Sequence, residues 1–202
     1  MSGQSLVAGA TLAFQLLQGI AERSNMKRAH LFVVYVTLGV SLAAAQSQVK
    51  KSTVEGITNF AQVETTVACA GAVTPASVAG IKKMGFASII NLRLENEKGA
   101  DIDAEAAAAK AAGINFVHLP FNGSMPDPGV ADRFLKIIAE PGYQPAFIHC
   151  ASGNRAAAMW LIKRVLIDKW DLDRALEEAT QLGLTSSGLK TFALDYIQAH
   201  RK

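Results

Sequence analysis

A seven-residue stretch, His149-Cys150-Ala151-Ser152-Gly153-Asn154-Arg155, constrains the fold of this chain more than any other feature. It joins an apolar, strand-like segment at 145–148 to a helix-forming run at 156–167. In such a junction the backbone N–H groups of the loop converge on one point, and Gly153 can adopt the positive φ of a tight turn. The start of the helix adds partial positive charge there. The stretch therefore predicts an α/β fold with an anion-binding loop and a thiol at its base.

Cys150 is the candidate nucleophile, because the converging amides and the helix terminus favour the thiolate, which is the reactive form. Arg155 can bind an oxyanion through two N–H groups, and a cation at a helix N-terminus is unfavourable unless it faces an anion. The candidate binding groups for that anion are the loop residues Ala151, Ser152, Gly153 and Asn154. The structural alternatives are that Cys150 is a small core residue and Arg155 a solvated one.

Three segments together resemble a known family. They are GFASIINLR at 85–93, GINFVHLPF at 113–121 and PAFIHCASGNR at 145–155. They resemble the cysteine-dependent protein phosphatases, in particular their bacterial dual-specificity-type branch, which includes the phosphatase-like domain fused to β-lactamase-like hydrolases. The resemblance covers approximately 59–197. It implies a tyrosine or dual-specificity phosphatase-like enzyme that hydrolyses phosphomonoesters through a phosphocysteine at Cys150 and needs no cofactor. The implied substrate is a phosphorylated protein or a small phosphoester.

Two departures from the phosphatase pattern keep other functions open. Four residues separate Cys150 from Arg155, whereas the usual phosphatase loop has five, and Ala156 stands where phosphatases usually carry Ser or Thr. The resembled bacterial domain shares the shorter spacing, but so does the rhodanese family, whose loop carries a persulfide. The alternatives are therefore a rhodanese-like sulfurtransferase with a Cys150 persulfide, or a module that binds an anion without turnover.

Asp127 is the candidate general acid, because the resembled phosphatases carry their acid on the loop that follows the strand at 114–121. There the acid usually comes within a few residues of the strand, where this chain has Asn122 and Gly123. Asp127 also precedes Pro128 and a helix-forming run, which favours an N-cap role. A carboxylate held by backbone amides is a poorer proton donor.

The charged residues near the candidate site have structural interpretations as well. His149 precedes the nucleophile on a strand, so its side chain should point to the opposite face, where it either orders the loop or packs in the core. Arg93, Glu95 and Glu97 follow the strand at 86–92 and either border the cleft or form a local ion network, which is the favoured interpretation.

Residues 1–45 are predicted to lie outside the fold. A basic start at Met26-Lys27-Arg28 precedes an apolar run at 29–42 and small residues before Gln46, which is typical of a secretory signal. Translation is predicted to begin at Met26, so that 1–45 comprise a misassigned start and a signal peptide. Export predicts a periplasmic or secreted protein with no stable membrane association after cleavage. The alternative is an uncleaved membrane anchor, for which the 17 residues at 29–45 are marginally long.

The remaining chain is nearly neutral. Three of the 20 basic residues and one of the 17 acidic residues precede residue 46, which leaves a net charge of +1. No basic run indicates a nucleic-acid surface, and four scattered histidines give no ligand spacing, so neither nucleic acid nor metal is predicted. Cys69 and Cys150 are the only cysteines. They could pair, but a small buried core role for Cys69 is favoured.

The order of elements predicts one α/β domain at 59–202 after a flexible segment at 46–58. Strands are predicted at 67–70, 86–92, 114–121 and 145–148, and helices at 75–84, 101–112, 128–139, 156–168, 172–182 and 189–200. Alternation of strands and helices implies a mainly parallel central sheet flanked by helices, and the last three helices form a helical C-terminal lobe. The resemblance implies that this is the dual-specificity phosphatase fold.

Overall fold

The computed structural model describes residues 49–63 and 65–201, which form one α/β domain around a six-stranded sheet. The strands are β1 (Val49–Lys51), β2 (Ala61–Val63), β3 (Val67–Ala70), β4 (Ser88–Asn91), β5 (Asn115–His118) and β6 (Ala146–His149). The helices are α1 (Val78–Lys83), α2 (Ile102–Ala112), α3 (Pro128–Ala139), α4 (Asn154–Leu166), α5 (Leu172–Leu182) and α6 (Ser187–His200). A 3₁₀ turn, Pro75–Ser77, leads into α1.

The sheet has the order β1-β2-β3-β6-β4-β5, and β3, β6, β4 and β5 run parallel. This confirms the predicted mainly parallel sheet. β1 and β2 pair antiparallel at one edge and were not predicted, because each has only three residues and β1 is largely exposed and polar. β1 and the buried Ile57 also lie in the stretch expected to be a flexible segment, so the sheet begins before residue 59.

Helices cover both faces of the sheet, because alternate residues of each buried strand point to opposite sides. On one face Ile148 and Cys69 pack in a core cluster with α3, α4, α5 and α6, and on the other Phe147 and Ala68 pack with α1 and α2. α4 is central to the first face, since every residue from Arg155 to Val165 is buried. The predicted helical C-terminal lobe is therefore α4, α5 and α6.

Helix ends follow the local chemistry of the sequence closely. The side chains of Asp101, Asp127 and Asp171 cap α2, α3 and α5, and Gly113 ends α2 in the left-handed conformation. α3 and α5 have the predicted bounds, whereas α4 begins two residues earlier than expected, at Asn154. This difference matters, because it places Arg155 inside the first turn of α4.

The predicted signal segment at 26–45, together with the rest of 1–45, lies outside the described residues, so its export role stays a prediction. Within 49–63 and 65–201, none of the helices has the length and apolar character needed to cross a bilayer.

Candidate active site

The loop after β6 lies at the carboxyl edge of the parallel strands. The Cys150 N–H donates to Ala70 O at the end of the adjacent strand β3, at 3.2 Å. The Cys150 side chain is only 1% exposed, and its Sγ accepts a hydrogen bond from the Gly153 N–H at 3.1 Å. Gly153 has the predicted positive φ, 98°, and forms the N-cap of α4. The thiol therefore lies at the base of a loop that ends in a helix N-terminus.

The carbonyl groups of this loop are held on its outer side. Ala151 O accepts from the Ala72 N–H at 3.1 Å, and Ser152 O accepts from Asn59 Nδ2 at 3.1 Å. Because C=O and N–H point in opposite directions in a trans peptide, the N–H groups of Ser152 and Gly153 point to the inner side of the loop. The Gly153 N–H is the one that donates to Cys150 Sγ, and the anion-binding role of these amides stays a prediction.

Asn154 braces the loop from the side of the C-terminal lobe. Its Oδ1 accepts from the backbone N–H groups of Thr185 and Ser186 at 2.8 and 2.7 Å. The Asn154 side chain is thus engaged with the connection between α5 and α6. Its Nδ2 lies 3.5 Å from Ser152 Oγ, within the loop itself, and the binding role of Asn154 stays a prediction.

The Arg155 guanidinium is fixed by several acceptors. Nη1 donates to Leu92 O at 3.0 Å and to Phe121 O at 2.8 Å, at the ends of the β4 and β5 segments. Glu97 accepts from Nη1 at 2.6 Å and from Nη2 at 2.8 Å in a bidentate ion pair. Burial opposes the charge on Arg155, but the Glu97 hydrogen bond and the nearby Cys150 raise its pKa above the ordinary value.

Glu97 connects two arginines. It accepts from Arg93 Nε at 3.3 Å, which confirms the Arg93–Glu97 part of the predicted local network, and it also reaches Arg155, 58 positions away. Burial favours the neutral acid, yet hydrogen bonds from Arg155, the Leu94 N–H and Arg93 lower the pKa of Glu97 to about 2. Sequence reasoning missed the contact with Arg155, because no local pattern indicates which loop meets the guanidinium.

A buried polar chain lies behind the loop. His149 Nε2 contacts Glu105 Oε1 at 2.8 Å, and Asn91 Nδ2 donates to Glu105 Oε2 at 2.9 Å. The Arg93 N–H in turn donates to Asn91 Oδ1 at 2.8 Å. His149 thus points away from the Cys150 face, as predicted, and ties β6 to α2 and to the end of β4. Sequence reasoning did not single out Glu105 or Asn91.

Asp127 lies at the start of α3, where its carboxylate accepts from the Gly129 N–H at 2.9 Å. The side chain is exposed, and the predicted N-cap role is confirmed. Earlier in the same loop, Asn122 Oδ1 accepts from the Ser124 N–H at 3.0 Å, and a Cβ at Gly123 would lie 3.5 Å from Arg155 Cδ. Gly123, just after the strand, therefore lies beside Arg155, and the acid role of Asp127 stays a prediction.

Cys69 is a fully buried free thiol in β3, in agreement with the favoured core interpretation. Burial raises its pKa well above the ordinary value, and the nearby Cys150 adds to the shift. The two cysteines are unpaired in this structure, so the candidate nucleophile is not blocked by a disulfide.

A groove of about 780 Å³ begins at the outer side of the loop. Its walls come from the N-terminal segment, the loop and the α5–α6 connection, and one residue, Lys51, carries a formal charge. The lining residues are Lys51, Ser52, Thr53, Ile57, Thr58, Asn59, Phe60, Ala61, Ser152, Asn154, Leu182, Gly183 and Thr185. Among the described residues, no three His, Cys, Asp or Glu side chains are grouped to hold a metal ion.

The model of one protein family matches the chain. Residues 59–167 match the family described as "Beta-lactamase hydrolase-like protein, phosphatase-like domain", and this match covers more than half of the 202 residues. No sequence among curated proteins matches the chain.

Solved structures with a similar fold include a DUF442 protein from Shewanella putrefaciens CN-32, at a TM-score of 0.62 and 17% identity, over 73% of this chain and 97% of that one. TpbA from P. aeruginosa has a TM-score of 0.58 and 18% identity, over 78% of this chain and 92% of that one. The catalytic core of the PP-IP phosphatase Siw14 from S. cerevisiae has a TM-score of 0.57 and 17% identity, over 74% of this chain and 89% of that one. At these identities the likeness shows the fold.

Proposed function

Because the chain belongs to the family of the phosphatase-like domain of β-lactamase hydrolase-like proteins, we propose that it hydrolyses phosphomonoesters with Cys150 as the nucleophile. The resemblance to cysteine-dependent phosphatases is thereby confirmed at the level of the family, and the chain is phosphatase-like. The observation that carries the proposal is the hydrogen bond from the Gly153 N–H to Cys150 Sγ at the base of a loop whose amides face inward.

In the first step the Cys150 thiolate attacks phosphorus in line with the ester oxygen. The S–P bond forms, the P–O bond to the organic group breaks, and the departing oxygen takes a proton from Asp127 or from water. The phosphoryl oxygens bind the loop amides and the Arg155 guanidinium, which is already oriented by Glu97. In the second step water attacks phosphorus, the S–P bond breaks and inorganic phosphate leaves; the proton of the water returns to Asp127 or to solvent, and the thiolate is restored.

The proposed substrate is a phosphorylated protein or a small phosphoester, as the resemblance to this family implies. The groove of about 780 Å³ lies on the outer side of the loop, and neither Cys150 nor Arg155 is among the described residues that line it, so it is not assigned to the substrate. Among the similar structures, TpbA has been solved in complex with phosphotyrosine.

The test is hydrolysis of an activated aryl phosphate by the reduced protein beside the Cys150→Ser variant. Loss of activity with the sulfur is the expected result, since serine in place of the thiolate leaves no competent nucleophile. Equal rates in both proteins, or none in either, would overturn the proposal.

A second candidate function is sulfur transfer, which the four-residue spacing between Cys150 and Arg155 favours. Transfer of sulfur from thiosulfate to cyanide distinguishes it, because that reaction needs a Cys150 persulfide and no phosphoester. Transfer that depends on Cys150, without phosphate release, would assign the loop to this chemistry.

A further inference from the structure

One peptide group of the loop contacts both Asn59 and the nucleophile. The C=O of Ser152 accepts from Asn59 Nδ2 at 3.1 Å, and the N–H of Gly153 donates to Cys150 Sγ at 3.1 Å. These two groups belong to the same peptide bond and point in opposite directions. Asn59 and Cys150 are therefore joined through a single rigid plane.

Gly153 does not fix the orientation of this plane by itself. Its φ is 98°, and glycine populates positive and negative φ about equally. Rotation of the plane would remove the N–H donor from Cys150 and turn the Ser152 carbonyl oxygen towards the sulfur, where it would repel a thiolate. Contacts from outside the loop therefore favour the observed orientation, namely the backbone bridge between Gly71 and Ser152 and the hydrogen bond from Asn59 Nδ2.

Asn59 is well placed to provide that contact, because its own segment is anchored. The Thr58 N–H donates to Ala72 O at 2.9 Å, and Thr58 O accepts from the Gly71 N–H at 2.7 Å. Asn59 has a φ of 49°, in the left-handed region that asparagine tolerates better than most residues. The backbone thus directs the Asn59 side chain at the loop from a fixed position.

We propose that Asn59 is a positioning residue that stabilises the Cys150 thiolate by holding the Ser152–Gly153 peptide group with its N–H towards Sγ. The hydrogen bond also polarises this peptide group, which strengthens the N–H as a donor. The proposal rests on the proposed function only in taking Cys150 as the nucleophile, since it concerns the ionisation of the thiol and not turnover.

The ionisable groups near the sulfur belong to elements other than the segment that carries Asn59, so we expect them to keep their positions when Asn59 is replaced. Arg155 from α4 and Cys69 from β3 interact electrostatically with Cys150, and Glu97 reaches it through Arg155. His149 is engaged by Glu105 on the opposite face of the sheet. A change in the titration of Cys150 when Asn59 is replaced therefore reports a change in the orientation of the Ser152–Gly153 peptide group.

The test is an ultraviolet titration of the thiolate in the full chain with Asn59→Gly. Glycine removes the amide and still accepts the left-handed φ, so the backbone is not strained. The same variant carrying Cys150→Ser is the blank and cancels the contribution of Cys69. Loss of one hydrogen bond is expected to move the titration midpoint to higher pH by about half to one pH unit.

The matched control is Asn115→Gly, because Asn115 Nδ2 also donates to a backbone carbonyl, that of Gly142, at 3.1 Å. Asn115 lies at the start of β5, at the opposite end of the strand from the site, and its replacement is expected to leave the midpoint unchanged. A melting curve of each variant reports any general loss of stability.

A second variant, Gly153→Ala, changes the residue that carries the N–H of the same peptide group. A Cβ there meets no atom closer than 3.6 Å, so the added methyl group acts by disfavouring positive φ. Gly153→Ala is expected to raise the titration midpoint. The double variant with Asn59→Gly is expected to shift the midpoint by less than the sum of the two single shifts, because both changes act on the same peptide group.

An unchanged midpoint in Asn59→Gly, an equal shift in Asn115→Gly, or full additivity with Gly153→Ala would overturn the proposal. The titration needs no turnover, so absence of phosphate release would count against the proposed function alone.

Discussion

The two charged side chains that define the site electrostatically are Arg155 and Glu97. Their bidentate pair is intramolecular and half-buried, and it orients the guanidinium before any ligand binds. Two backbone carbonyls, of Leu92 and Phe121, hold the same nitrogen. Arg155 therefore has little freedom to rotate, and the ordering cost of binding a phosphoryl group is reduced.

Replacing Glu97 with glutamine is expected to lower kcat/KM for an aryl phosphate about tenfold, because the neutral amide holds the guanidinium less firmly. Steady-state kinetics checks this. Glu95→Gln is the matched control, since Glu95 is an exposed acid two residues away in the same loop. Equal losses in the two variants would contradict a specific role for Glu97.

The same pair makes stability depend on pH. The pKa of Glu97 is lowered from 4.5 to about 2, so the folded state favours the carboxylate. Its contribution is complete above the unfolded pKa and is lost as pH falls towards 2. The difference in unfolding free energy between the wild type and Glu97→Gln should be constant near neutrality and shrink below about pH 4.5. Urea unfolding over this pH range measures it.

Asp127 is both a helix cap and the predicted general acid, and Asp127→Asn separates these roles. Asparagine caps a helix about as well as aspartate but cannot donate the required proton. We expect near-native stability, and about a 100-fold loss on phosphoesters with poor leaving groups. Activated aryl phosphates should be hydrolysed at nearly the wild-type rate, because their leaving groups need no acid. A uniform loss on both substrates would contradict the acid role.

At the scale of elements, the site depends on the close approach of three chain segments at Gly71. A Cβ at this position would clash with Thr58 Oγ1 and would lie 2.9 Å from Ala151 O. The Thr58 side chain can move, but the Ala151 carbonyl belongs to the loop and is held by the Ala72 N–H. Only glycine allows β3, the N-terminal segment and the loop to meet there.

Gly71→Ala is therefore expected to cost about 2 kcal/mol of stability and to reduce phosphatase activity, because the loop must shift. Gly80→Ala is the matched control: Gly80 lies in α1, and no atom comes within 4 Å of its Cβ position. That variant should be more stable by up to about 1 kcal/mol with unchanged activity. Thermal melting and kinetics test both, and a native-like Gly71→Ala would argue against the close approach.

At the scale of the whole molecule, Cys69 reports how the domain opens. It lies in β3, between β2 and β6, and is fully buried, and burial keeps its thiol protonated by raising the pKa. In the Cys150→Ser variant, a thiol reagent should modify Cys69 only as fast as the sheet opens, and urea should accelerate the reaction. Modification in native buffer as fast as in the unfolded protein would contradict a cooperative core.

The sequence by itself determined those features that depend on neighbouring residues. Asp127 and Pro128 begin α3, Gly113 ends α2 in the left-handed conformation, and Gly153 turns the loop with positive φ. The segment around Cys150 and Arg155 likewise predicted an anion-binding loop between a strand and a helix. Capping, backbone φ and side-chain periodicity depend on residues a few positions apart, so they can be predicted from the sequence without knowledge of the fold.

Tertiary structure alone decided which distant groups complete the site. Glu97 meets Arg155 across 58 positions, and Asn59 meets Ser152 across 93. The antiparallel edge of β1 and β2 also escaped prediction, because three-residue strands carry too little pattern. Such contacts are set by the order of strands in the sheet, which brings together loops that share no local signal, and only the packed structure specifies that order.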